Sequence, residues 1–115
     1  MPRELTLLST EPASPVHLIL AAVEIDGDLV PRVLYDGWVT QLVDADDVAV
    51  ISVELSRVIE DATDLERLTG LEALPLPFWL TEATAPWGRA GETGLAVMRA
   101  LAGLVPGTLA VHEGG

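Results

Sequence analysis

Apolar and polar positions along the first third of the chain fall into short runs, punctuated by proline, glycine and aspartate. Residues 3–8 (Arg-Glu-Leu-Thr-Leu-Leu) read as a short strand, closed by the turn-forming cluster Ser9-Thr10-Glu11-Pro12-Ala13-Ser14-Pro15. Three apolar runs follow, at 16–25, 28–35 and 38–43, separated by Asp26-Gly27 and Asp36-Gly37. Asp-Gly between apolar runs signals a two-residue hairpin turn, because that turn needs positive φ at both central positions. Two in succession predict a three-stranded antiparallel meander near the N-terminus. Pro31 has no N–H to give to a ladder, so its strand is expected to bulge or to lie at an edge. Residues 14–25 also admit a helix, with Ser14 as N-cap and Pro15 at the first helical position. The strand is the preferred reading of 16–25.

A helical period appears next. Val48, Ile51, Leu55, Val58, Ile59, Ala62, Leu65 and Leu68 recur at three- and four-residue steps, which predicts a helix within 44–70 whose acids face outward. Asp44 or Asp46 is placed to cap its start, where negative charge meets the helix dipole favourably. The β-branched stretch 48–53 would also suit a strand. Thr63-Asp64-Leu65-Glu66 fits a capping box, so a break near Ala62 and a restart ending at Gly70 are expected. Pro75 and Pro77 isolate a strand at 78–84, a largely buried helix follows at 93–104, and residues 108–112 supply a last strand. The expected architecture is α+β: an antiparallel or mixed sheet packed by two to three helices, in one domain spanning 1–115.

Composition adds a sign. Eighteen acidic residues stand against six basic ones, all arginine, for a formal net charge of −12, and lysine and asparagine are absent. The bias is what a GC-rich coding sequence produces, as in many bacteria and their phages. Such a field repels nucleic-acid phosphate and anionic membranes and attracts cationic surfaces, so direct nucleic-acid binding is disfavoured. Between Asp36 and Glu72 ten acids meet only Arg57 and Arg67, which places eight of the twelve excess charges in the middle third. The longest apolar stretch is too short to span a bilayer, and the N-terminus lacks a secretory pattern, so the cytoplasm is the expected location. Without cysteine there is no disulfide framework and no thiolate chemistry or zinc site.

Candidate chemistry is sparse. Gly88-Arg89-Ala90-Gly91-Glu92-Thr93-Gly94 joins an expected strand to an expected helix, where backbone amides with Arg89, Gly91 and Thr93 could hold an anion, although a Walker lysine and dinucleotide spacing are both missing. Asp44-Ala45-Asp46-Asp47 fails the EF-hand pattern, which would need glycine at Ala49 and glutamate at Leu55. His17 and His112 are far apart in sequence and make a weak metal pair, so no metal or cofactor is expected. Pro2 would become a secondary-amine base, of the tautomerase type, if Met1 were removed. No serine sits in a nucleophile elbow. Trp38, Trp79 and Trp87, with Tyr35 and Phe78, flank turns and prolines, where aromatics close core ends or anchor interfaces.

The leading expectation is therefore a non-enzymatic protein-binding module of bacterial or phage type that meets a basic partner. An immunity protein, an antitoxin or a secretion chaperone would fit. Its candidate contact residues are Asp44, Asp46, Asp47, Glu54, Glu60, Asp61 and Asp64, with Trp79 and Trp87; a homodimer is compatible. The alternative is a small enzyme using Pro2 or the segment 88–94.

Overall fold

The structure, a computed structural model, describes residues 3–60 and 78–112. Among the described residues, seven strands and two helices make an α+β fold around one antiparallel sheet. In chain order they are β1 (Arg3–Ser9), α1 (Pro15–Ile25), β2 (Val30–Leu34), β3 (Val39–Val43), β4 (Ala49–Glu54), β5 (Arg57–Ile59), β6 (Phe78–Ala85), α2 (Arg89–Leu104) and β7 (Gly107–His112). Across the sheet the order is β2-β3-β4-β6-β1-β7, with β5 also paired to β6. Every pairing is antiparallel. Both helices cover one side of the sheet, where Leu5, Leu7, Leu42, Val53 and Ala83 meet Leu18, Ala22, Leu95, Met98 and Leu101. Leu8, Ile59, Phe78 and Leu80 form a smaller cluster on the opposite side.

The meander exists, but one element later than the sequence pattern predicts. Residues 16–25 are helical, and β2, β3 and β4 make the three-stranded unit. Ser14 closes the start of α1 with a reciprocal cap: its hydroxyl accepts from the His17 N–H, and its own N–H donates to His17 Nδ1 at 3.2 Å. Pro15 supplies the preset φ of the first turn. A helical period is invisible here because both faces of α1 are apolar. Asp26-Gly27 is then no hairpin: the Asp26 N–H ends the helix on Ala22, its carboxylate accepts from Asp28, and Gly27 does not take positive φ. Asp36-Gly37 does lie in a hairpin, but its loop is the four residues 35–38 rather than two, since Leu34 pairs with Val39, and Tyr35, Asp36 and Gly37 are all at positive φ. Pro31 lies on the edge strand β2, as its missing donor requires.

The expected helix at 44–60 is replaced by β4 and β5; the expected capping box and helix end at 63–70 lie outside the described residues. Asp44 caps a turn rather than a helix, its carboxylate accepting from the Asp46 and Val48 N–H groups at 2.9 Å each. Val50 is the extra residue of a bulge, since Leu42 pairs with Ile51 and Val43 with Ala49. That bulge sends the consecutive residues Val50 and Ile51 into one core, and the positions whose spacing suggested a helix do not share a side: Ile51 and Ile59 are buried, whereas Val48, Leu55 and Val58 are 40–45% exposed. The β-branched content of 48–53 is the signal that prevails.

α2 begins at Arg89, four residues before the expected start. Gly91 and Gly94 are buried in its first two turns, where a Cβ would stand 1.6 Å from the Pro86 carbonyl oxygen and 2.0 Å from that of Val50. Their missing side chains let the helix lie directly on the backbone of β4 and of the link from β6. Ser56 ties the layers together: its hydroxyl accepts from the Ala13 N–H, lies 3.0 Å from the Ala13 carbonyl, and is 2.6 Å from the buried Thr81 hydroxyl.

Candidate functional site: the open face of the sheet

Strand alternation sends Leu5 and Leu7 toward the helices and Glu4 and Thr6 the other way, and the same rule sorts the other strands outside the β4 bulge. Register then aligns one polar residue per strand. His112 pairs with Glu4, Glu4 with Thr84, Thr84 with Ser52, Ser52 with Gln41, and Gln41 with Arg32, a polar row crossing six strands. Thr6 opposite Glu82, and Val39 opposite Glu54, belong to the next row. A cavity of about 660 Å³ opens on this face, and its lining includes Glu4, Glu54, Glu82, Gln41, Tyr35 and His112.

Three carboxylates therefore share one concavity. Arg57 engages Glu82 in an exposed ion pair, and the Gln41 amide donates to the Ser52 hydroxyl at 3.3 Å. Glu4 and Glu54 take part in no ion pair found among the described residues. Tyr35 stands at the rim, 75% exposed and in left-handed backbone (φ 53°), an outlier for a bulky side chain. The arrangement offers hydrogen-bond acceptors, a negative potential and an aromatic edge, which together suit a cationic group. Among the described residues no three His, Asp or Glu side chains gather as metal ligands. His17 serves the α1 cap on the helix side, whereas His112 lies on the open face, so the two histidines do not meet.

The residues named from sequence are dispersed. Asp44, Asp46 and Asp47 sit in the β3–β4 turn, where Asp47 pairs with Arg32 at 2.8 Å. Glu54 is in the cavity, Glu60 is exposed just after β5, and Asp61, Asp64 and Pro2 lie outside the described residues. The outward helical face expected to carry these acids is not formed by residues 44–60, because that segment is strand and turn. Trp79 is half-buried beside Ser9 and Val58, and Trp87 is half-exposed with the Arg3 guanidinium 5.1 Å from its ring centroid. Arg89, Gly91 and Thr93 belong to the first turns of α2 rather than to a loop, Gly91 against Pro86 and the Thr93 hydroxyl donating to the Arg89 carbonyl. Glu4 and Glu82 escaped the sequence reading, although each alternates with buried neighbours in a strand recognised as such.

No family model, curated protein or solved structure matches the chain. No helix among the described residues is long and apolar enough to cross a membrane.

Proposed function

We propose that the chain is a protein-binding module that receives a basic segment of a partner protein on the open face of its sheet, as an immunity protein or antitoxin would. The observation that carries this reading is the concavity lined by Glu4, Glu54 and Glu82, of which, among the described residues, Glu82 alone is ion-paired, to Arg57. Its floor is a row of hydroxyls and an amide on rigid strands, so donors of a guanidinium or ammonium find preset acceptors without ordering a loop. The long-range field of a chain with net charge −12 speeds the approach of such a partner.

Titration of an arginine-rich peptide into the protein tests the reading. Binding is expected to weaken with added salt, and to fall by about tenfold when Glu4 and Glu54 both become glutamine, a loss of ~1.4 kcal/mol. Binding indifferent to salt and to both substitutions would remove the open face from consideration.

A further inference from the structure

The two edges of the sheet are guarded differently. β2, at one edge, carries Pro31 and also Arg32, which is ion-paired to Asp47. A proline and a charge are common guards of an exposed edge. β7, at the other edge, has neither: its six residues include no proline and no Lys, Arg, Asp or Glu. Its register with β1 runs without a bulge from Glu4 opposite His112 to Ser9 opposite Gly107. Among the described residues no strand pairs with its outer side, so alternate N–H and C=O groups along β7 point away from the sheet.

This edge borders the acidic cavity. Ala110 and His112 pair with Thr6 and Glu4, and His112, Thr6 and Glu4 all line the cavity. Leu109 and Val111 alternate with them and pack, half-buried, against the core on the helix side. A strand laid along β7 therefore sets one row of side chains beside Ala110 and His112, toward the carboxylates, and the other row beside Leu109 and Val111.

We propose, resting on the reading of the open face given above, that β7 captures the basic partner segment as an added strand whose residues alternate basic and apolar. Main-chain hydrogen bonds to β7 fix its register, and the two rows of side chains select its sequence. Charge decides between occupants. Glu4 has no ion pair among the described residues. Two strand spacings, about 10 Å, separate it from the added strand, a gap that an arginine and a glutamate side chain close between them. A second copy of the chain would instead bring its own Glu4 and a further −12 to the same edge.

Three hexapeptides, with amide exchange of the full chain, test this. Arg-Val-Arg-Val-Arg-Val should bind and slow the outward-facing amides of β7 while leaving those of β2 unchanged. N–H groups alternate sides along a strand, so methylating the arginine nitrogens or the valine nitrogens of the peptide backbone blocks opposite edges without altering its charge. One analogue should bind at least about tenfold more weakly than the parent, the other about as well. Loss in both analogues or in neither, or slowed exchange at β2 in place of β7, would overturn the added strand. Salt-dependent binding of the parent peptide in that case leaves the acidic face standing; no binding of the parent removes both. Slowed exchange at β7 that grows with protein concentration in the absence of peptide would give the edge to a second copy and overturn the proposal as well.

Discussion

Arg3 Nη1 donates to Glu92 Oε1 at 2.8 Å, joining the first residue of β1 to the first turn of α2. The two ends of the bond differ in environment, with Arg3 3% exposed and Glu92 64%. Arg3 also donates to the Pro86 carbonyl at 3.2 Å and stacks on Trp87, while its Nε has no hydrogen-bond partner among the described residues. The buried guanidinium thus bridges strand, link and helix, and the exposed carboxylate is one of several anchors.

Arg3→Ala should therefore destabilise the fold by about 2–4 kcal/mol, through lost packing and an unpaired Pro86 carbonyl. Glu92→Gln, at the solvent end, should cost less than ~1 kcal/mol. Urea denaturation of both variants checks the asymmetry. Equal losses would mean that the ion pair, and not the buried contacts, holds the joint.

Gly91 and Gly94 yield a second expectation. A methyl at Gly94 meets the Val50 carbonyl oxygen at 2.0 Å, and both atoms belong to the rigid contact between α2 and the β4 bulge. The helix must move, so Gly94→Ala should lower stability by roughly 3 kcal/mol or more despite alanine's better helix propensity. At Gly103, where nothing stands within 4 Å of an added Cβ, the same change should be neutral or stabilising by up to ~1 kcal/mol. Thermal melts of the two variants should move in opposite directions.

Ser56 explains why the loop before α1 stays against the sheet. Its hydroxyl contacts Ala13 through both N–H and carbonyl and also reaches Thr81, which is fully buried on β6. Ser56→Ala leaves those groups without their partner, and a loss of about 1–3 kcal/mol is expected in denaturant unfolding. Amide exchange should quicken selectively at Ala13.

How far this architecture was legible in the sequence depends on which pattern each segment offered. β1, β6 and β7 carry alternation bounded by turn formers, and their strands emerge close to the expected limits. α1 concealed itself because Val16, Ile19, Leu20 and Val23 duplicate on its outer side the apolarity of its inner side; only the Ser14-Pro15 start was diagnostic. β4 was masked because Val48, Leu55 and Val58, half-exposed around its ends, stand at helical steps from the buried Ile51 and Ile59, while its bulge, burying Val50 and Ile51 together, breaks the strand alternation. The acidic site was harder still. Glu4, Glu54 and Glu82 come from three strands, and only pairing across the sheet brings them to one cavity, whereas the dense Asp44-Ala45-Asp46-Asp47 run serves a turn.

Tyr35 should be improvable. It holds φ 53° while three-quarters exposed, so Tyr35→Asn loses little packing and relieves a backbone that a bulky residue disfavours. A gain of about 0.5–1 kcal/mol is expected in urea unfolding. If the rim aromatic contributes to holding a cation, the same variant should bind an arginine-rich peptide several-fold more weakly, and stability and affinity would move apart.

The carboxylates of the cavity lead to the same opposition by another route. Glu4 and Glu54 face one concave surface with Glu82, and among the described residues only Glu82 of the three has an ion pair, with Arg57. Like charges gathered on one surface oppose the compact state, and glutamine keeps the shape while removing the charge. Glu4→Gln combined with Glu54→Gln should thus raise stability at low salt by about 0.5–1 kcal/mol, a gain that disappears at high salt, as the peptide affinity falls. Glu82→Gln should instead be neutral or slightly destabilising, because it breaks the pair with Arg57. Denaturation midpoints at two salt concentrations, read beside the peptide titration, separate the outcomes. Acids kept for folding would lose stability when neutralised; acids kept for a partner gain it.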